Sequence, residues 1–436
     1  MNAVLVAVIV MIVLSLCRLN VVLALFAGAL TGGLIAGMGF LDTITVFTSN
    51  IVGGAEIALS YALLGGFAAL IAYSGITDFV VDKILKVFKK DSTKSARITA
   101  KISVIAALLI ISMLSQNLIP VHIAFIPILI PPLLSLFNEL QMDRRLIAVI
   151  LTFGLTFTYV ILPYGYGQIF QNTIVTSFEN AGVSIALADV TANMWIPSLG
   201  FIVGLILAVI FYSKPRQYRT KRITLAKPKE VNIKIAMIAV IAIIATFTVQ
   251  LLTESMIFGA IAGILVFFFS FQFKWSKLDD ELIKGIQLMA YIGMVMLAAN
   301  GFAGVITESG HVEPLVTNVA GFLGDNKALI AMSMLVVGLL VTLGIGSSFA
   351  TIPIIGAIFI PLGIELGLSL PAVIALIGTA GALGDAGSPA SDSTLGPTAG
   401  LNVDNQHDHI WDTCVPTFIF LNIPVVITGF IAAMIL

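Results

Sequence analysis

Ten apolar segments of bilayer-spanning length constrain this chain more than any other feature of its sequence. A transmembrane helix needs about 17 to 25 mostly apolar residues. The segments run over residues 1–17, 21–39, 59–77, 146–165, 192–213, 235–253, 256–271, 285–307, 371–385 and 415–436. Hydrophobic residues make up 59% of the 436 and charged residues only 10%, which excludes a soluble domain. We expect an all-helical, multi-pass protein of the plasma membrane, surrounded by lipid.

Two longer apolar stretches are interrupted by polar residues and prolines. Residues 102–137 are broken at LSQNLIP (114–120), and residues 328–366 are broken at GIGSSFATIP (344–353). Each is too long for one span, so each is interpreted as a re-entrant helical hairpin or a sharply broken helix. If both are hairpins, every lysine and arginine except Lys327 lies on one face of the membrane. The positive-inside rule makes that face cytoplasmic.

An internal repeat is visible along the chain. GFAALIAYSG (66–75) matches GFAGVITESG (301–310) at six of ten positions, and AVILTFG (148–154) matches AVIALIG (372–378) in the same order. Each half then has five spans and a hairpin, so the second copy is inverted relative to the first. We predict a first repeat over residues 1–213, a basic cytoplasmic linker over 214–234 and a second repeat over 235–436. Inverted repeats with broken helices at the midplane are typical of secondary transporters.

The stretch from Gly378 to Thr398 interrupts an apolar segment with the sequence GTAGALGDAGSPASDSTLGPT. Its five glycines and two prolines predict a broken helix whose backbone groups turn away from the helix's own hydrogen bonds. Asp385 and Asp392 lie within it, and an ionisable group at membrane depth is by default a functional hypothesis. We interpret them as coupling carboxylates that hold either a proton or a sodium ion. The alternative for Asp392 is that it caps a helix.

Neutral oxygen groups gather at the same breaks and suit a dehydrated sodium ion. The predicted substrate- or ion-binding residues are Ser115, Gln116, Asn117, His122, Ser347, Ser348, Thr351, Ser388, Ser391, Ser393 and Thr394. Helix N-termini at the breaks would favour a carboxylate of the solute. No cofactor and no resident metal are expected. His407 and His409, with three nearby aspartates, are either a metal cluster or, as we favour, part of a solvated cytoplasmic loop.

The motif GDAGSPASDST (384–394) resembles the signature of the NhaC-type sodium/proton antiporter family, within the larger ion transporter superfamily. The resemblance covers most of the chain and implies transport of Na+ and H+. It points to Asp385, Ser388, Asp392, Ser393 and Thr394 as the ion or substrate site. It further implies a homodimer in which a transport domain moves against a scaffold domain in an elevator-like way. GLNVDNQHDHIWDTCVPTF (400–418) resembles a branch that includes candidate amino-acid transporters.

Together these features favour a cation-coupled secondary transporter of Na+, H+ and a small solute such as an amino acid or small carboxylate. A dedicated Na+/H+ exchanger is the alternative, and a channel would call for a continuous polar ring instead of inverted broken helices. Asp385 in ALGD is close to the motif of an intramembrane aspartyl protease, but the Tyr-Asp pair typical of those enzymes is absent from the sequence. We therefore expect a protein that is not an enzyme. The net charge of -1 gives no sign of a nucleic-acid partner.

Overall fold

The computed structural model describes residues 2–75, 94–117, 122–219, 233–253, 255–311, 314 and 326–436. Within these ranges the chain is almost entirely helical and contains no strand. The first half comprises α1 (Ala3–Leu16), α2 (Val21–Ile35), α3 (Phe40–Asn50), α4 (Ala55–Tyr73), α5 (Lys94–Asn117), α6 (His122–Glu139), α7 (Arg144–Ile161), α8 (Tyr166–Asn180) and α9 (Leu187–Phe211). The second comprises α10 (Ile233–Thr253), α11 (Met256–Phe269), α12 (Trp275–Glu308), α13 (Lys327–Ile345), α14 (Ser348–Glu365), α15 (Leu370–Ala382), α16 (Asp392–Leu401) and α17 (His409–Ile435).

Several of these helices are long and apolar enough to cross a bilayer. In the described ranges six meet this criterion by length and composition, or seven if the bent pair Phe40–Gly54 and Ala58–Tyr73 forms one span. Six shorter apolar helices accompany them. The predicted all-helical, membrane-spanning fold class is confirmed. The second interrupted apolar stretch breaks where the sequence predicted, since α13 ends just before the left-handed Gly346. The break predicted at 114–120 falls largely on residues 118–121, which lie outside the described part of the chain.

Helix α12 begins earlier than its apolar segment predicts. The segment starts at Gly285, whereas the helix starts at Trp275 and includes the charged residues 277–284. In this first part Leu278 is buried while Lys277 and Asp279 are exposed, so the helix is amphipathic there. A search for apolar spans detects only the uniformly apolar part of such a helix. The sequence also missed the bend of 42° between α3 and α4.

Corresponding helices of the two sequence repeats pack in corresponding ways. α5 packs on α7 as α13 packs on α15, and α6 packs on α16 as α14 packs on α8. The two matched segments form the C-terminal ends of α4 and α12. Each segment ends in a glycine of positive φ, 77° at Gly75 and 65° at Gly310. This arrangement agrees with the predicted two-repeat fold class. The domain boundaries drawn at residues 213 and 235 stay a prediction.

The helices form two clusters, each built from both halves of the chain. The first cluster contains α1 to α4 and α10 to α12, and the second contains α5 to α9 and α13 to α17. The main contacts between them join α4 to α6, α1 to α13 and α12 to α13. In the second cluster α7 and α15 are buried along nearly their whole length. Both end at a break in the chain, so the polar residues that follow lie inside the protein.

Helices α9 and α17 pack closely through glycines. A Cβ atom at Gly204 would overlap the backbone carbonyl of Phe420, which no side-chain movement can relieve. We expect Gly204→Ala to destabilise the protein by about 1–3 kcal/mol, the usual cost of overpacking. The apparent melting temperature in detergent measures this. Gly396→Ala is the control, because a Cβ there meets no atom within 4 Å; equal melting temperatures for the two variants would contradict the packing argument.

Candidate functional site

The break between α15 and α16 is the centre of the candidate site. α15 ends at Ala382, and α16 begins at Asp392 after Ser391, whose side chain caps the helix by accepting a hydrogen bond from the Ser393 amide at 3.2 Å. Gly387 between the helices has a φ of 77°, a conformation that glycine adopts without strain. The helix is broken where the glycines and prolines of the sequence predicted. Its cap is Ser391 and Asp392 is its first residue, so the alternative that Asp392 caps the helix is wrong.

Helix α17 supplies hydrogen-bond partners to the backbone of the broken segment. Asn422 Nδ2 donates to the carbonyl oxygens of Leu383 and Ala386 at 3.0 and 2.6 Å. The Gly387 amide donates to Thr417 Oγ1 at 3.1 Å. Such pairing is expected, because an unpaired backbone group at membrane depth is costly. These backbone groups therefore face α17, and the carbonyls of Leu383 and Ala386 already have protein partners.

Two π-helical segments in α17, His409–Cys414 and Phe418–Asn422, bring these partners to the break. Short π segments are frequent at functional sites, because the extra residue re-aims side chains. His409 Nε2 lies 2.9 Å from the carbonyl oxygen of Pro389, between the two aspartates in sequence. Since a carbonyl only accepts hydrogen bonds, Nε2 of His409 carries the proton. The histidine thus fixes the backbone between Asp385 and Asp392.

Asp385 is buried and accepts hydrogen bonds from two other helices. The Tyr159 hydroxyl, from α7, donates to Oδ2 at 2.6 Å, and Ser348 Oγ, at the start of α14, donates to Oδ1 at 3.0 Å. The backbone amide of Ser348 also donates to the carboxylate. The N-terminus of a helix favours a negative charge. Within the described ranges, no lysine, arginine or histidine forms an ion pair with Asp385.

Asp392 is the first residue of α16 and is partly exposed. Ser393 Oγ lies 3.4 Å from its Oδ1. Asp392 and Asp385 are close enough to repel each other electrostatically. Tyr166, which begins α8, is within electrostatic range of both carboxylates. The break therefore holds two acidic groups beside the N-termini of α8, α14 and α16.

The predicted hydroxyl groups lie at this break or at the start of α14, and three of them donate to backbone carbonyls. Ser388 Oγ donates to Leu343 at 3.1 Å, Thr394 Oγ1 to Ser388 at 2.6 Å, and Thr351 Oγ1 to Ser347 at 2.8 Å. A hydroxyl that donates its hydrogen to a carbonyl keeps its oxygen lone pairs available. These groups are thus compatible with oxygen ligation of a cation.

The tip of the first interrupted stretch is described only in part. Ser115 is buried near the end of α5 and donates to the Ser112 carbonyl at 2.9 Å. Gln116 and Asn117 end α5 and His122 begins α6, but their side chains and residues 118–121 lie outside the described part of the chain. The roles predicted for Ser115, Gln116, Asn117 and His122 stay predictions.

Several contributors were not predicted from the sequence. Tyr159 donates to Asp385, Thr152 Oγ1 donates to the Ser393 carbonyl at 2.9 Å, and Asn422 holds the broken segment. The signal for the first two was the run TFGLTFTY, residues 152–159, which places four hydroxyl groups on a helix that is otherwise apolar. The signal for Asn422 was a lone amide within the apolar C-terminal segment.

A buried ion pair ties the start of α7 to the loop before α17. Arg144 is fully buried and donates to both carboxylate oxygens of Asp404 at 2.6 Å, and to the Leu401 carbonyl at 2.9 Å. The amide of Arg219, in the chain segment between the repeats, donates to Gln406 at 2.7 Å. Burial opposes ionisation of Asp404, but the hydrogen bonds and charge of Arg144 outweigh it and lower the pKa of that carboxyl.

His407 of this loop and His409 at the start of α17 are not exposed. The described ranges contain no group of three or more residues able to hold a metal ion. His407 is buried, and its Nε2 lies 2.7 Å from Thr413 Oγ1. Burial, followed by the charge of Arg144, lowers the pKa of His407 to about 3, so its ring is neutral. The favoured expectation of a solvated loop is wrong for both histidines, because each packs against the broken helix or α17.

Comparisons of sequence and structure identify known proteins that are similar to this chain. Family models described as Na+/H+ antiporter family and Na+-H+ antiporter family match residues 150–430 and 2–88. YuiF of Bacillus subtilis, named as a candidate amino acid transporter, is 54% identical over the whole of both chains. An uncharacterized membrane protein of Vibrio parahaemolyticus is 51% identical over the whole of both chains. The YdaH transporter structure from Alcanivorax borkumensis aligns with a TM-score of 0.39 and 14% identity, over 89% of this chain and 87% of that one.

The first family model matches more than half of the chain, and both relatives match it from end to end. The broken helix with its two aspartates lies inside the region that the first model matches. This multi-pass membrane protein belongs to the Na+/H+ antiporter family.

Proposed function

We propose that this protein is a secondary active transporter, and not an enzyme, that couples the movement of a small solute such as an amino acid to Na+ and H+. Asp385 and Asp392 are the proposed coupling carboxylates. The amino-acid substrate is proposed because a close relative is named as a candidate transporter of amino acids. A dedicated Na+/H+ exchanger without an organic substrate is the alternative, favoured by the family name.

The observation that carries the proposal is the buried carboxylate of Asp385, which has hydroxyl and amide donors but no basic partner in the described ranges. A buried charge is stable only when it is paired or neutralised. A proton and a sodium ion can each neutralise it, but not at the same time. Alternating occupancy by the two would couple their movements in opposite directions.

The two helix clusters suggest how the protein moves the site across the membrane. The break, Asp385 and its partners all belong to the second cluster, and only a few helix pairs join it to the first. We propose that the second cluster is a transport domain that moves against the first as a scaffold, in a homodimer. Cysteine cross-links between α4 and α6, which pack across the clusters, would test this, because locking the two helices together should stop transport.

Transport in proteoliposomes tests the function directly. An imposed sodium gradient is combined with an internal pH dye and labelled amino acids in the same vesicles. Uptake of one amino acid that requires sodium or a pH gradient supports the proposal. Proton movement on sodium addition without any solute supports the dedicated exchanger, and the absence of both movements contradicts the two functions together.

Tyr159→Phe is expected to slow sodium-dependent transport about tenfold, because a hydrogen bond to a charged group contributes about 1.5–3 kcal/mol. The variant keeps the aromatic ring and removes the hydroxyl that donates to Asp385 Oδ2 and lies 3.0 Å from Ser348 Oγ. Initial rates in proteoliposomes at equal protein amounts measure the effect. Tyr164→Phe is the matched control, since Tyr164 is 73% exposed at the same end of α7. A rate for Tyr159→Phe equal to that of the control would remove Tyr159 from the site.

A further inference from the structure

Tyr61 of α4 is fully buried and its hydroxyl has no hydrogen-bond partner in the described part of the chain. Burying a hydroxyl without a partner costs about 1–3 kcal/mol. Such groups are uncommon in folded proteins, and each calls for an explanation. Replacing the tyrosine by phenylalanine would avoid the cost, so the hydroxyl has a use that this conformation does not show.

The surroundings of Tyr61 point to that use. The charged groups that act on its hydroxyl are Asp392 and, more weakly, Asp385, and Tyr166 also lies within electrostatic range. All three belong to the second cluster, whereas Tyr61 belongs to the first. α4 packs on α6, and α6 packs on α16, which begins with Asp392. Tyr61 thus lies within electrostatic range of the two aspartates, on the other side of the boundary between the clusters.

The other buried polar atoms without partners have different settings. Thr246 of α10 lies against Gly263 of the neighbouring α11, and Ser15 lies in α1, both inside the first cluster. Arg144 and Asn422 each lack a partner at one atom only and are bonded through the others. None of the hydrogen bonds of Arg144 and Asn422 involves Asp385 or Asp392. Among the described residues, Tyr61 combines a free hydroxyl with proximity to both carboxylates.

We propose that Tyr61 is a further binding residue of the Asp385 and Asp392 site, contributed by the first cluster, and that its ligand is a monovalent cation. A tyrosine offers a cation both the lone pairs of its hydroxyl oxygen and the negative face of its ring. Two carboxylates on the opposite side supply the charge. The cation is either sodium or the ammonium group of the transported amino acid, which share this chemistry. The inference rests on the proposed transport function.

Binding to the purified full-length protein tests the inference without requiring transport. The melting temperature is followed while sodium chloride replaces N-methyl-D-glucamine chloride, and then while each common amino acid is added at fixed sodium. A ligand that binds the folded state raises the melting temperature in proportion to its occupancy. For Tyr61→Phe, we expect the half-saturating concentration of one of the two ligands to rise about tenfold, the effect of losing one hydrogen bond to a charged group.

The sodium titration and the amino-acid titration distinguish the two candidate cations. A shift confined to sodium identifies the coupling ion, and a shift confined to the amino acid identifies its ammonium group; both support the inference. Thr246→Val is the matched control, because it removes another buried, unpartnered hydroxyl, on α10, which packs mainly on α11. If wild type binds and Tyr61→Phe is as unaffected as the control, Tyr61 is not a binding residue. If wild type binds neither ligand, the proposed function fails with it.

Discussion

Replacing Asp385 with asparagine is expected to lower sodium-driven transport about 100-fold while the protein still folds and inserts. Asparagine has nearly the same shape, so one of the two donors, Tyr159 or Ser348, keeps an oxygen acceptor, and the hydroxyl of the other can accept from the asparagine amide. The charge that a proton or sodium ion must neutralise is gone. Losing an interaction with a charged group costs about 1.5–3 kcal/mol, which corresponds to a loss of roughly 10- to 150-fold in the affinity for the cation.

Initial rates in proteoliposomes, with inserted protein quantified, measure the effect of Asp385→Asn. Asp279→Asn is the matched control, because Asp279 is an exposed carboxylate in the first turns of α12. Asp385→Glu retains the charge but places it one methylene away, so we expect partial activity. A wild-type rate for Asp385→Asn would mean that coupling does not pass through this carboxylate.

The second large effect is on stability, at the buried pair of Arg144 and Asp404. Removing one partner leaves the other charge buried without compensation, so we expect Asp404→Ala to destabilise the protein by about 3–5 kcal/mol. Arg144 is fully buried and the side chain of Asp404 is only 3% exposed, so water cannot replace the lost partner. The apparent melting temperature in detergent measures the loss.

A double variant separates charge from packing at this pair. Arg144→Met combined with Asp404→Leu removes both charges, and an apolar replacement of a buried pair is often neutral. We expect the double variant to melt above Asp404→Ala. Lys284→Ala, which breaks the exposed pair with Glu281, is the control and should not change the melting temperature. A single variant as stable as the wild type would show that the pair does not hold the loop.

The pair also predicts how stability depends on pH. The pKa of Asp404 is lower in the folded protein than its ordinary value. A carboxyl with a depressed pKa contributes its stability above the ordinary pKa and loses it as the pH falls through the folded value. The melting temperature of wild type should therefore fall towards strongly acidic pH, and the difference from Asp404→Ala should narrow there.

The sequence predicted the fold class because a bilayer imposes strict requirements on its spans. Apolar length located the helices, and the glycines and prolines at GIGSSFATIP and GDAGSPAS located the breaks. The bend before α4 was not predicted, because glycines within an apolar run do not reveal whether the helix continues. The charged first part of α12 was not predicted to be helical, because its periodicity, and not its hydrophobicity, marks it as a helix.

The candidate site was predicted in part. Asp385, Ser348 and the hydroxyls of the break were found because they lie in one polar, glycine-rich segment or at a hairpin tip. Tyr159, Asn422 and Tyr61 were missed because each is a single polar residue in an apolar helix, brought to the aspartates by tertiary packing. A sequence shows that such a residue is costly in a membrane but not what it faces.

The hydrogen bonds between α17 and the broken segment have a mechanical consequence. Asn422, Thr417 and His409 fasten the backbone of residues 383–389 at four points, and α17 in turn packs along α9. These hydrogen bonds hold the unwound stretch in place, so it does not act as a hinge. In the transport function that we propose, exposure of Asp385 to one side of the membrane and then the other is expected to come from displacement of the whole unit that carries it, and not from flexing of this stretch.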